Sequence, residues 1–260
     1  MFARRPDSLQ FLPPTSCSGP LPIVIYLHGA PGDVNEGTNN GWPATAAKDC
    51  FIEVNAKGSI LKTGVESWHI YNDTSNYSGT APDDVAQLKS VVAEIEAGTS
   101  VDPKAVFAVG FSVGGLMASR VAAEGGDVFA ATFPWAATLY MQDGGGSNGL
   151  PASVSTPTDI EEMNGAADTT IPLCRLTNSS ITVSSVDTTF NWWMGVLGCT
   201  PATPATSVCV GGQPVLTAKS LTGCNNGVTV NCSSLAGASH GWPAGLNDTA
   251  WSYFNSHRKP

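Results

Sequence analysis

The chain has 260 residues, of which 42% are apolar and only 13% charged, with 28 glycines and 18 prolines. A formal net charge of −9 without any Lys/Arg run makes phosphate backbones and anionic membrane surfaces poor partners. No stretch approaches the roughly 18 consecutive apolar residues of a bilayer span, and the length suits one large domain.

Residues 1–20 are proline-rich and unpatterned, a strap over the surface of a single domain spanning 21–260. The first residues, Met1 to Asp7, are basic but carry no apolar segment behind them, so they do not form a signal peptide. That leaves a cytosolic protein or one whose signal has been removed. Leu21 to Leu27 is a continuous apolar run, as expected of a strand covered on both faces. It ends in the glycine-rich turn His28-Gly-Ala-Pro-Gly32. Trp42 to Lys48 reads as a short helix with Pro43 at its first position, and Cys50 to Asn55 as the next strand.

A polar loop follows over 57–79, then Thr80-Ala-Pro-Asp83, which has the form of a capping box. The helix behind it sets Val85, Leu88, Val91, Val92 and Ile95 on one face and closes at Gly98. Ala105 to Val109 and Val128 to Phe133 are short apolar strands, and 139–158 is a loop. Asp159 to Asn164 is a more acidic strand, expected near a sheet edge. Residues 184–197 form a helix after a serine cap, a strand follows around Val228 to Leu235, and Asn247 to Ser256 is a terminal helix. Short apolar strands alternating with helices predict an α/β fold with a mostly parallel sheet and helices on both faces. Reactive residues in such sheets lie at the carboxyl ends of strands.

The seven cysteines include four between Cys199 and Cys232, at Cys199, Cys209, Cys224 and Cys232. They form no C-x-x-C pair and have no histidine among them, so disulfides fit better than zinc. Four cysteines allow three pairings. The expectation is a nested one, Cys199–Cys232 around Cys209–Cys224, against the alternative of buried free thiols, for which Cys50 is a candidate. Disulfides would place the protein outside the cell.

The chemistry centres on Gly110-Phe-Ser112-Val-Gly114, which joins the strand Ala105–Val109 to a helix carrying Leu116, Met117 and Val121. A turn this sharp strains its central residue and needs small neighbours, which the glycines supply. It would lift the Ser112 hydroxyl to a helix N-terminus, where backbone N–H groups meet developing negative charge. A serine nucleophile needs a base and a carboxylate to orient that base. His240 follows the strand around 228–235 in a Gly/Ser-rich turn and is the expected base. His28 sits in a turn better suited to shaping backbone, His69 in a polar loop, and His257 near the C-terminus. Asp168 follows the strand 159–164 and is the expected acid; Asp187, in the first turn of a helix, is the runner-up. The order Ser112, Asp168, His240 is that of α/β-hydrolases. The oxyanion hole is expected from the N–H groups of Val113 and Ala30.

Leu27-His28-Gly29, Thr80-Ala-Pro-Asp-Asp-Val85, Gly110-Phe-Ser-Val-Gly-Gly-Leu-Met117, Gly165-Ala-Ala-Asp-Thr-Thr-Ile-Pro172 and Gly237-Ala-Ser-His-Gly-Trp-Pro243 resemble the family of polyhydroxybutyrate depolymerases, feruloyl esterases and acetylxylan esterases. The likeness runs with gaps from about residue 21 to 244. It implies the α/β-hydrolase fold without a large lid, with Ser112, Asp168 and His240 as the triad. It also implies secretion and a disulfide in the place of Cys199 and Cys232. The chain departs from the pattern in its acidic strand before Asp168 and in an extra cysteine pair within 200–226.

Trp42, Trp135, Tyr140 and Trp242 lie near strand ends and are candidate substrate contacts; Trp192 and Trp193, adjacent on a helix, cannot both face the core. The sequence thus reads as a secreted serine ester hydrolase that needs no metal or organic cofactor. Its substrate would be an ester, such as feruloyl or acetyl groups displayed on plant cell-wall polysaccharide, or else a polyester chain. A peptidase of the same fold and a non-catalytic carbohydrate-binding module are the other classes.

Overall fold

The computed structural model describes residues 8–11, 16–70, 77–138, 140–141, 154–174, 176–177, 182–201, 209–210, 213–214 and 218–260. Its strands are β1 (Leu9–Phe11), β2 (Leu21–Leu27), β3 (Ile52–Ala56), β4 (Ser59–Ile60), β5 (Glu66–Ser67), β6 (Val101–Phe111), β7 (Ala131–Trp135), β8 (Tyr140–Met141), β9 (Asp159–Gly165), β10 (Leu176–Thr177), β11 (Thr182–Val183), β12 (Thr200–Pro201), β13 (Cys209–Val210), β14 (Gln213–Pro214), β15 (Lys219–Thr222) and β16 (Val230–Leu235). The helices are α1 (Glu36–Asn39), α2 (Trp42–Asp49), α3 (Asp84–Gly98), α4 (Val113–Glu124), α5 (Val186–Leu197) and α6 (Leu246–Ser256). Nine strands form the main sheet in the order β1-β3-β2-β6-β7-β9-β16-β15-β12. The block from β3 to β16 is parallel, and β1, β15 and β12 add antiparallel flanks.

Alternation along β2 and β6 explains the layers. Ile23, Ile25, Leu27, Val106 and Ala108 face α3 and α4, whose Val85, Leu88, Val92, Met117 and Val121 cover them. Val24, Tyr26, Phe107 and Val109 face the other side, against Trp42 and Ala46 of α2 and Ala250 and Phe254 of α6. A third cluster packs Phe190, Trp193 and Leu197 of α5 on Ile160, Leu221 and Val230. Each of these fully buried large side chains is worth roughly 1.5–3 kcal/mol over exposure. Of the adjacent tryptophans on α5, Trp193 is buried and Trp192 half-buried.

The structure corrects several expectations. The cap of α3 is Asp83, whose side chain accepts from Ala86 N–H, rather than Thr80. β9 lies inside the sheet between β7 and β16, not near an edge. Of its acidic residues Asp159 and Glu161 are half-buried and accept from Thr229 and Ser233, while burial pushes the Glu162 carboxyl up to about 8 and so favours its neutral form. The loop over 57–79 contains the β4–β5 hairpin.

The disulfides also differ. They join Cys17 to Cys50, Cys174 to Cys209 and Cys199 to Cys224, leaving Cys232 as a buried thiol. The antiparallel pairing of Thr200 with Thr222 brings Cys199 beside Cys224. Cys232, by contrast, sits within the ladder opposite Glu162 and Lys219 and belongs to the core under α5. Cys209 is drawn to the start of α5, where its N–H donates to Asp187, and it bridges to Cys174, outside the cysteine-rich segment. Cys50, the candidate for a free thiol under the alternative reading, closes the turn after α2 and ties it to Cys17.

Candidate active site

Ser112 stands between β6 and α4 with φ 54° and ψ −119°, a region that side chains rarely adopt. Its N–H donates to Trp135 O at 3.0 Å and its carbonyl accepts from Leu116 N–H at 3.0 Å. The side chain makes no capping bond to the helix, so the hydroxyl is not spent there. Close packing explains the glycines. A Cβ on Gly110 would stand 2.0 Å from Gly114 O, and one on Gly114 2.0 Å from Leu27 O. Neither glycine is needed for a left-handed backbone; both are needed so that β2, β6 and α4 can approach.

His240 follows β16 and reaches both of its neighbours. Its Nε2 is 3.0 Å from Ser112 Oγ and its Nδ1 is 2.7 Å from Asp168 Oδ2. Asp168, which follows β9, is buried, and its other oxygen accepts from the N–H groups of Thr170 and Ile171, both at 2.8 Å. Because that carboxylate only accepts, Nδ1 carries the ring proton and Nε2 is left to accept from the serine hydroxyl. The turns that carry Asp168 and His240 are joined to each other: Ala167 N–H donates to Ala238 O at 2.9 Å and Ala166 N–H to Leu235 O at 2.9 Å.

Val113 opens α4, so its N–H is among those with no partner inside the helix. Ala30 lies in the turn after β2. That turn lies close to the serine, since a Cβ added to Gly29 would stand 3.5 Å from Ser112 Cβ. The helix N-terminus beneath Ser112 supplies a positive end for negative charge formed above it.

The remaining expected residues divide. Trp242 is half-buried, with its ring 5.4 Å from Tyr26 and its Nε1 donating to Asn247 at 2.7 Å. Trp42 and Trp135 are both fully buried, which corrects their expected place as substrate contacts. Trp42 packs on Phe51, Tyr26 and Trp242 in the core. Trp135 donates to Gly241 O at 2.8 Å and so supports the histidine turn from below. The Tyr140 side chain, and most of the 139–158 loop, lie outside the described residues. Asp187 is engaged by other partners: its carboxylate pairs with Lys219 Nζ and accepts from Cys209 N–H. His69 and His257 bond to backbone carbonyls elsewhere, Pro82 O and Tyr253 O.

Sequence reasoning missed Phe111. Its ring lies 5.0 Å from the His240 ring and 6.3 Å from Trp242, making it part of the half-exposed wall beside Ser112. Its position directly before the serine was the available signal. Among the described residues no group of three His, Cys, Asp or Glu side chains is placed to hold a metal ion, and no helix is long and apolar enough to cross a membrane.

No family model matches the chain. Over 225 residues, 84% of its length, the chain is 26% identical to feruloyl esterase B of Piromyces equi. Over 143 residues, 54% of its length, it is 27% identical to poly(3-hydroxyalkanoate) depolymerase C of Paucimonas lemoignei. The matches cover 39% and 34% of those relatives' own lengths, so the chain spans well under half of either. Among solved structures, the acetyl xylan esterase of Aspergillus awamori superposes with a TM-score of 0.60 at 16% identity, covering 95% of this chain and 93% of that one. The chain therefore has the α/β-hydrolase fold, and its relatives are the esterases and polyester depolymerases that the sequence motifs resemble.

Proposed function

We propose that the protein is a secreted serine carboxylic-ester hydrolase that works through an acyl-enzyme. The observation that supports this most is the continuous line Ser112 Oγ, His240 Nε2, His240 Nδ1 and Asp168 Oδ2, with links of 3.0 and 2.7 Å. In this reading Ser112 Oγ attacks the ester carbonyl carbon as its proton passes to His240 Nε2. Asp168 stabilises the imidazolium, and the Ala30 and Val113 N–H groups receive the charge on the former carbonyl oxygen. Collapse breaks the bond to the alkoxy oxygen, which leaves as the alcohol with the proton from Nε2. Water then repeats the same two steps on the acyl-enzyme and releases the acid.

The relatives and the wall of the site support a reading of the substrate class. Phe111 and Trp242 offer a half-exposed aromatic surface beside the serine, which suits an ester displayed on a polymer. Feruloyl or acetyl esters of plant cell-wall polysaccharide are the first choice. The similarity to a polyhydroxyalkanoate depolymerase favours a polyester as the second. Three disulfides support an extracellular location.

The test is hydrolysis of a short-chain nitrophenyl ester by the wild type and by Ser112→Ala, with feruloyl, acetyl and hydroxybutyrate esters and a peptide substrate alongside. The expected loss in the variant is roughly 10⁴-fold or more with the fold intact. Undiminished activity in Ser112→Ala would refute the assignment. Peptide cleavage without ester cleavage would make the protein a peptidase, and activity on neither would favour a binding module.

A further inference from the structure

The turn Gly29-Ala-Pro-Gly32, on which the proposed function relies for one oxyanion donor, is held from two sides, by the buried His28 and the half-buried Glu36. On the first side is His28, with no exposed surface. Its Nδ1 lies 2.7 Å from Gly29 O. A carbonyl only accepts, so Nδ1 carries the proton and donates it. The other nitrogen, Nε2, lies 3.1 Å from Gly58 N and 3.0 Å from Glu66 Oε1. The β4–β5 hairpin thus closes on the far edge of the ring. It can do so only because residue 58 is glycine; a Cβ there would stand 2.8 Å from Nε2 and 2.4 Å from Ser67 O. Trp68, just after the hairpin, donates its Nε1–H to His28 O at 2.9 Å.

On the second side is Glu36, the first residue of α1. Its carboxylate accepts the Gly29 N–H, at 3.1 Å to Oε1 and 3.2 Å to Oε2. It also accepts the Tyr26 phenol at 2.9 Å, and that phenol oxygen accepts from Asn40 Nδ2 at 2.8 Å. Burial and the Glu36 charge both push the Tyr26 phenol up, which keeps it protonated as a donor. The turn wraps the carboxylate, since a Cβ on Gly32 would stand 2.7 Å from Glu36 Oε2.

Peptide geometry converts these bonds into an aim. In a planar trans peptide the C=O and N–H point in opposite directions. The first peptide has its carbonyl on Trp68 and its N–H on Glu36. The second has its carbonyl on the His28 ring, so the Ala30 N–H is turned to the opposite side. We infer that His28 and Glu36 are positioning residues that lock these two successive peptides and thereby hold the Ala30 N–H as an oxyanion donor beside Ser112. The inference rests on the esterase reading. It also gives the 57–68 segment a task, as a buttress behind the site.

The experiment compares wild type, His28→Leu, His28→Asn and Glu36→Ala in steady-state hydrolysis of a nitrophenyl ester and in binding of an alkyl boronic acid, which forms a tetrahedral adduct on a serine. Thermal melts check folding. Loss of one oxyanion donor costs about 100-fold or more in kcat. His28→Leu is therefore expected to lose about 100-fold in kcat and a similar factor in boronate affinity, with KM changed less than about threefold. His28→Asn should recover at least about tenfold, because an amide N–H can stand near the place of Nδ1–H. Glu36→Ala should lose about tenfold in kcat, again with little change in KM. Folded His28→Leu or Glu36→Ala protein with wild-type kcat and boronate affinity overturns the inference. If His28→Leu does not fold, the Glu36→Ala kinetics decide. A wild type that neither hydrolyses the ester nor binds the boronate overturns the esterase reading itself, and that result is distinct from active wild type with equally active variants.

Discussion

Gly165 lies so close to Ala238 that a Cβ on the glycine would stand 2.4 Å from the alanine carbonyl oxygen. The contact joins the end of β9 to the turn after β16, and those two segments carry Asp168 and His240. Backbone faces backbone here, so no side chain can move aside. The 2.7 Å bond from His240 to Asp168 spans the same two segments.

Gly165→Ala should therefore separate the two turns. The expected outcome is a fall in kcat/KM of about 100-fold, the order that a displacement near 1 Å costs. Overpacking should also lower stability by about 1–3 kcal/mol. Steady-state kinetics and urea melts measure the two effects. Activity within twofold of wild type would show that the approach is not needed for alignment.

The two aspartates weighed as the orienting acid make a second, paired prediction. Asp168→Asn should lower kcat by about 10⁴-fold with little change in melting temperature, since an amide there leaves the imidazole in the wrong tautomer. Asp187→Asn should leave ester hydrolysis within a few-fold. It should lower stability instead, by about 1–3 kcal/mol, because the nearly buried Lys219 ammonium loses a charged partner. A crippled Asp187→Asn beside a mild Asp168→Asn would reverse the assignment.

The parts of this protein legible in the sequence were those set by local pattern. Apolar runs such as Leu21 to Leu27 fit strands covered on both faces, and Gly110-Phe-Ser-Val-Gly114 admits few turns. The three residues now in line at the site were legible for the same reason, as each follows a strand. What was not legible was set by partners distant in sequence. Glu162 looks like an edge residue until its neighbours are known to bury it and keep it neutral. Trp42 opens α2 and Trp135 ends β7, yet aromatic packing and the Gly241 carbonyl keep both inside. Cysteine pairing followed from the Thr200–Thr222 ladder and the docking of Cys209 at α5, neither of which spacing could reveal. The supports of the turn proposed to carry the Ala30 donor come from Glu36, Glu66 and Trp68, which no short motif contains.

The cysteines give a third prediction. Without reductant the folded protein should show no thiol reactive toward iodoacetamide, and the unfolded protein one per chain. Cys232 is fully buried, and burial together with the nearby Glu162 and Glu161 carboxyls pushes its thiol well above the ordinary range. Peptide mapping should find the pairs 17–50, 174–209 and 199–224. A mapped Cys199–Cys232 link would overturn this pairing.

Stability should fall as pH rises from acid to mildly alkaline. Glu53 in β3 and Glu162 in β9 have no exposed surface, and three of their four carboxyl oxygens lack a hydrogen-bond partner among the described residues. Burial pushes both carboxyls from 4.5 up to about 8. The sign follows from the unfolded chain, in which both groups ionise near their ordinary value. Below 4.5 both states hold the protons and the contribution is complete. Between 4.5 and 8 the unfolded chain releases them while the folded chain keeps them, so stability declines, with an upper limit of about 5 kcal/mol for each group. Above 8 the folded state must carry buried charge or open. Thermal midpoints taken between pH 5 and pH 9 should fall by several degrees in the wild type. They should fall less in Glu53→Gln/Glu162→Gln, whose amides do not titrate. An equal fall in both proteins would assign the pH dependence to other groups.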